Sequence, residues 1–157
     1  MTTIADKLLK YLKDYADKRV KAFYYGDPLV IPISNMPAVI IENKSATVSQ
    51  GATGLDKISV VFSIKLVMSK KDEIGKTPDE VVLQRTMADI IMGRTADNDY
   101  EPTSIMGVLR TYFTLGDSIQ DQNETIEFFI SERGEVIAEE AEITITINDF
   151  VNVASRQ

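Results

Sequence analysis

The sequence predicts an α+β domain, a mostly antiparallel sheet with a long hairpin and two main helices packed on one face. Three observations carry that expectation. From Ile58 to Met68, apolar Ile58, Val60, Phe62, Ile64, Leu66 and Met68 alternate with Ser59, Ser63 and Lys65, the period of a half-buried strand. Ala141–Asn148 alternates as cleanly, with Ile143, Ile145 and Ile147 on one face. At the amino end, Ile4, Leu8, Tyr11, Leu12 and Tyr15 recur at helical spacing, with Lys7, Lys10, Lys13, Asp14 and Asp17 mainly on the other side.

The elements follow in order. Residues 3–19 form the amphipathic helix. Val20–Tyr25 is a short strand broken by Gly26-Asp27-Pro28, and prolines 28, 32 and 37 keep residues 26–37 extended and irregular. Met36-Pro37-Ala38-Val39-Ile40-Ile41-Glu42 opens a second strand, and Gly51-Ala52-Thr53-Gly54 supplies the glycines of a reversal into Ile58–Met68. Together these form a long antiparallel hairpin. At roughly 3.3 Å per residue its second strand reaches about 36 Å, more than one small core covers, and its open edges call for a partner chain. Lys70-Lys71 ends the strand as a guard against edge pairing, or as a contact for a charged partner.

Thr77 as N-cap, Pro78 at the first helical position, Asp79 and Glu80 closing a capping box mark the start of the second helix. Val81, Val82 or Leu83, Met87, Ile90 and Ile91 then give it an apolar face, and Gly93-Arg94 its stop. After a polar loop over 95–103, Ser104–Tyr112 reads as a short third helix capped by Thr103 or Ser104, with Gly107 counting against it. Glu124–Ile130 is a strand, Ser131–Glu135 a turn and Ala141–Asn148 the closing strand. The order is α-β-β-β-α-(α)-β-β in one domain over residues 1–157.

Composition narrows function. Hydrophobic residues make up 44% of the chain and charged ones 26%, which is globular usage, and no apolar run reaches the length of a membrane span. The start, Met1-Thr2-Thr3-Ile4-Ala5-Asp6-Lys7, has no signal-peptide core, so no export is expected. Cysteine and histidine are both missing, which removes disulfides, thiolate nucleophiles, the usual zinc sites and every Ser-His or Cys-His pair. Carboxylate, Lys, Tyr or hard-metal chemistry would need a convergent cluster that the sequence does not display, so neither catalysis nor a cofactor is expected. Asp117 with Asp121, and Glu139 with Glu140, read as solvated charge. Asp97, Asp99 and Glu101 are spaced like the start of a calcium loop, without its Gly or its distant Glu. Gly51–Gly54 lacks the Lys-Ser/Thr of a phosphate loop.

The net charge of −7 is divided unevenly: residues 1–96 hold fourteen Lys/Arg against eleven Asp/Glu, residues 97–149 two against thirteen. The acidic half disfavours phosphate contacts, though a repelling surface suits a channel through which DNA slides. Tyr11, Tyr15, Tyr24 and Tyr25 gather four of the six tyrosines near the amino end, divided in expectation between core and interface.

The element order, the Met36–Glu42 entry into the hairpin, the Ile58–Met68 strand, the capped helix after Lys76-Thr77-Pro78-Asp79-Glu80 and the Ile143–Ile147 strand resemble the tail terminator (minor tail protein U-like) family of long-tailed bacteriophages. The resemblance is one of pattern over nearly the whole chain and holds no diagnostic motif. It implies a structural virion protein of the tail and neck, assembled in the host cytoplasm. In that family a homohexameric ring caps the tail tube, ends its polymerisation and offers a surface to the head-completion or neck protein. DNA passes through the channel without specific binding, no membrane is involved and no catalysis is implied. A ring needs heterologous contacts, for which basic helix 1 and the acidic back half are the candidate surfaces, with Lys10, Lys13, Tyr15, Lys18, Ser59 and Lys65 as candidate subunit-interface residues. The alternatives are another tail-completion or head–tail connector component, a monomeric binding module, or a small enzyme.

Overall fold

Thr3 opens the first helix, α1 (Ile4–Tyr15): its hydroxyl accepts from the Asp6 N–H while the Asp6 carboxylate accepts from the Thr3 N–H, a reciprocal cap at 3.2 and 3.1 Å. The computed structural model describes residues 3–51, 54–77, 79, 81–112, 118–120 and 124–153. The helix stops four residues short of the expected Arg19. Asp17 accepts from the Arg19 N–H at 2.9 Å and pairs with its guanidinium, closing a local turn that competes with another helical turn.

The chain then lays down β1 (Ala22–Tyr25), β2 (Ala38–Gln50) and β3 (Leu55–Ser69), followed by α2 (Leu83–Met92), α3 (Ile105–Tyr112), β4 (Ser118–Gln120), β5 (Thr125–Arg133) and β6 (Val136–Asn152). This is an α+β fold with a six-stranded mixed sheet in the order β1-β2-β3-β6, where β5 and β4 share the far flank of β6. Three features differ from the expected order, the first being the added strand β4. β1 runs parallel to β2, which a local pattern of four residues does not reveal. α3 is a full member of the core, so three helices cover the sheet.

That core gathers Leu8 and Leu12 of α1, Met87, Ile90 and Ile91 of α2 and Ile105, Val108 and Leu109 of α3 over Val39, Ile41, Phe62, Ile64, Leu66, Ile143, Ile145 and Ile147, all buried. The period-2 residues expected to face inward do so from Phe62 onward, with Val60 partly buried and Ile58 outside the core. Opposite them, the 26–37 connector folds back across the other sheet face, burying Ile31 and Met36 against Ala38, Ile40, Val67 and Ala138.

Two corrections concern polar segments. The expected turn over 131–135 narrows to Gly134-Glu135: residues 131–133 end β5, and β6 starts at Val136 rather than Ala141 and spans 17 residues. Gly134 has φ +65°, the left-handed conformation that such a tight reversal favours in glycine. The second correction concerns α2, which starts at Leu83 with Val82 at its N-cap and no side-chain cap of its own. Instead Glu73, from the short 3-10 turn Lys71–Glu73, accepts from the Val82 N–H at 2.8 Å and from the Leu83 N–H. Val81 and Val82 stay exposed, so the buried helical period begins only at Leu83; Pro78 and Glu80 lie outside the described residues, as do Asp117 and Asp121. Gly107, counted against the third helix, is what allows it. A Cβ there would stand 2.1 Å from the Glu101 carbonyl oxygen, and the Gly107 N–H is capped by Ser104 Oγ at 3.0 Å. Among the described residues no helix is long and apolar enough to cross a membrane.

Candidate functional site

The hairpin outruns the helices. Residues 43–50 of β2 are all exposed, as are the last residues of β6, so the β2–β3–β6 ribbon extends beyond the core. β3 alone, at 15 residues, reaches about 50 Å at 3.3 Å per residue. On the helix side of this ribbon, Ile58, Val60, Phe62 and Val151 line an apolar groove of 450 Å³ together with Thr3, Ile4 and Ala5 at the start of α1. Val48 is 61% exposed beside it. Asn43 Nδ2 donates to Tyr25 Oη at 2.7 Å, fixing the point where β2 leaves the core, and the register slips there between Asn43 and Ser45. Such a bulge sharpens the local twist.

The sheet's two margins differ. From Glu42 onward β2 pairs with β3 on one flank, and among the described residues nothing pairs with the other. At the opposite margin β5 pairs with β6 alone and exposes Phe128, Phe129 and Ile130. Unpaired strand edges of this length are templates for strand addition.

The face opposite the helices holds a built ionic cluster. Arg133 donates to both carboxylate oxygens of Asp27 at 2.6 and 3.0 Å and to both of Glu140 at 2.9 and 2.8 Å. Lys65 lies 2.9 Å from Glu42 and 3.4 Å from Asp27, and Ser131 Oγ donates to Glu140. Hydrogen bonds from Arg133 hold the Asp27 carboxyl down to about 2, against the opposing effect of burial. Burial disfavours the Arg133 and Lys65 charges, but their carboxylate partners outweigh it and raise both pKa values. Every charge in the cluster has an opposite partner, so it acts as a clasp fastening the 26–37 connector to the sheet. It offers no free general acid or base.

Glu139 and Glu140, expected as solvated charge, are each 2% exposed. They are tolerated because Glu140 meets Arg133, while Glu139 accepts from Gln84 at 2.6 Å and pairs with Lys70 at 3.2 Å. Lys70, expected as an edge guard or a partner contact, thus ties the end of β3 to β6. The sequence signal was ambiguous: Asp27 sits in a Gly-Asp-Pro break and Arg133 among the glutamates of a turn, and only the fold joins positions 106 residues apart.

The candidate interface residues fall into two groups. Lys10, Lys13, Tyr15 and Lys18 are exposed on α1 and just after it. Ser59 and Lys65 lie on β3 on the face away from the helices, so the six do not form one patch. Ser59 donates to Asn148 of β6, and Lys65 keeps 14% of its side chain exposed inside the clasp. Tyr11, Tyr15 and Tyr112 stack with ring centres 4.9 and 4.5 Å from Tyr112. Arg19 joins α1's exit to α2 through Asp89 at 2.6 Å. Among the described residues no group of three acidic side chains is placed to hold a metal ion. Neither a protein-family model nor a curated protein sequence matches the chain.

Proposed function

We propose that this chain is a structural virion protein that assembles into a ring capping the phage tail tube, ends tail polymerisation and offers the attachment surface for the head-completion or neck protein. The observation that supports it best is the ribbon beyond the core: an apolar groove beside one open sheet edge, with a second open edge of different character on the opposite margin. A subunit with two unlike, unsatisfied margins is suited to heterologous contacts, and these generate rings when the rotation closes. The order of helices and strands, with a long hairpin and a late strand pair, follows the expected α-β-β-β-α-(α)-β-β order, to which β4 is added. In this role duplex DNA traverses the ring without specific contact, and the tail tube and neck proteins are the partners.

α1 packs against β1 and β2, on the β2 side of the sheet, so its exposed lysines flank one margin while the acidic strands form the other. Native mass spectrometry of the full chain should show a closed oligomer, with a hexamer as the specific expectation. Reversing Lys10, Lys13 and Lys18 to Glu should reduce it towards the 17.5 kDa monomer. An unchanged mass by light scattering would remove the lysine face from the contact.

A further inference from the structure

Resting on the ring-forming role proposed above, we infer that the open β2 edge over Glu42–Gln50 receives the β5 edge of a second copy as an added antiparallel strand, with that copy's Phe128 and Ile130 lying over the apolar groove. The two edges match in length, since Glu42–Gln50 and Thr125–Arg133 are nine residues each. They match in direction: β2 is antiparallel to β3, β3 to β6 and β6 to β5, so β2 and β5 run oppositely, and placing them side by side in like-oriented copies gives an antiparallel ladder.

They match in chemistry as well. On β5, Ile126, Phe128 and Ile130 share the helix-side face by register with Ile143, Ala141 and Glu139, yet Phe128 and Ile130 are 40% and 63% exposed. On β2, Ala46 and Val48 share that same side with Val60 and Ile58. A β5 strand laid against β2 therefore brings exposed apolar residues onto an exposed apolar groove and keeps the helix-side faces continuous. The charges are complementary. Residues 3–57, which build the β2 margin, hold eight Lys/Arg against six Asp/Glu, whereas residues 124–142, which build the β5 margin, hold one against seven.

The contact also sets how successive copies step. Thr47 lies level with Asn148 of β6 through Ser59, whereas Phe129 lies level with Glu140, so pairing Thr47 with Phe129 shifts each copy along the strands by eight residues, about 26 Å at 3.3 Å each. A closed ring takes up that step as strand tilt; an unclosed one becomes a helical filament.

The chain contains no cysteine, which makes cross-linking specific. The full chain carrying Thr47→Cys with Phe129→Cys tests one face of the added strand, and Val48→Cys with Phe128→Cys the other, since neighbouring pairs of one register point to opposite faces. Oxidation of at least one double variant should yield a ladder of linked copies ending at the native oligomer, with each single variant remaining unlinked. Val48→Glu should lower the mass to that of the monomer with an unchanged circular dichroism spectrum. An intact oligomer that neither pair cross-links, or a single variant that links to itself, would overturn the contact while leaving the ring role standing. Cross-links within open filaments would support the contact and defeat the capping role. A wild-type chain that stays monomeric alone and with tail tubes would defeat both.

Discussion

Replacing Asp27 by Asn tests whether the clasp stabilises the fold. Asn keeps the hydrogen bond from the Leu29 N–H, which Asp27 accepts at 2.7 Å, and removes the negative charge facing Arg133 and Lys65. The Asp27 carboxyl is held at about 2, below its ordinary 3.8, and at about 1.4 kcal/mol per pH unit this is worth about 2 kcal/mol at neutral pH. Arg133 is left with Glu140 alone, so the expected loss is about 2 to 3 kcal/mol, or roughly 5–10 °C in Tm for a chain of this size. Because the folded-state value lies below the unfolded one, the contribution is complete above 3.8 and fades as pH falls through about 2. Urea unfolding followed by circular dichroism, on wild type and variant from pH 7 to pH 2, should show curves that separate at neutral pH and converge in acid. A gap below about 0.5 kcal/mol at pH 7, or one that does not change with pH, would refute this account of the clasp.

Two further substitutions probe local claims. Gly107→Ala, which in an open helix would add about 1 kcal/mol of stability, should instead destabilise the protein by about 2 kcal/mol or more, since its Cβ meets the Glu101 carbonyl; a raised Tm would show that the loop yields. Glu73→Ala removes the carboxylate that caps α2 from outside the helix, with an expected cost of about 1 to 2 kcal/mol. Glu73→Gln should recover part of that cost in chemical denaturation, and an Ala variant as stable as wild type would show that water replaces the cap.

The sequence was legible where burial follows a local period. Phe62–Met68 and Ile143–Ile147 face the core as their alternation requires, Val60 packs against it, and Thr3 with Asp6 caps α1 through neighbours in the chain. It misled where a distant residue supplies the missing half of an interaction. Glu139 and Glu140 read as surface because their partners Lys70, Gln84 and Arg133 arrive from other elements, and the early part of β6 was hidden with them. Thr77-Pro78-Asp79-Glu80 has the composition of a helix start, yet Glu73 from the preceding turn holds the N-terminus at Leu83. Gly107 signals flexibility by composition, whereas its role is to allow a backbone approach. In the candidate interface, the excess hairpin length was visible in the alternation. The charge contrast between the two halves was visible as well, but their place at opposite margins of one sheet was not, because it depends on β5 standing at an edge, a fact of sheet order alone.

The central claim concerns assembly, and the most direct measurement follows tail-tube growth by electron microscopy with the intact chain added during polymerisation. The account predicts rings seated at one end of each tube and tubes that cease to lengthen once capped. Tubes that elongate unimpeded while the chain remains a 17.5 kDa monomer would contradict it.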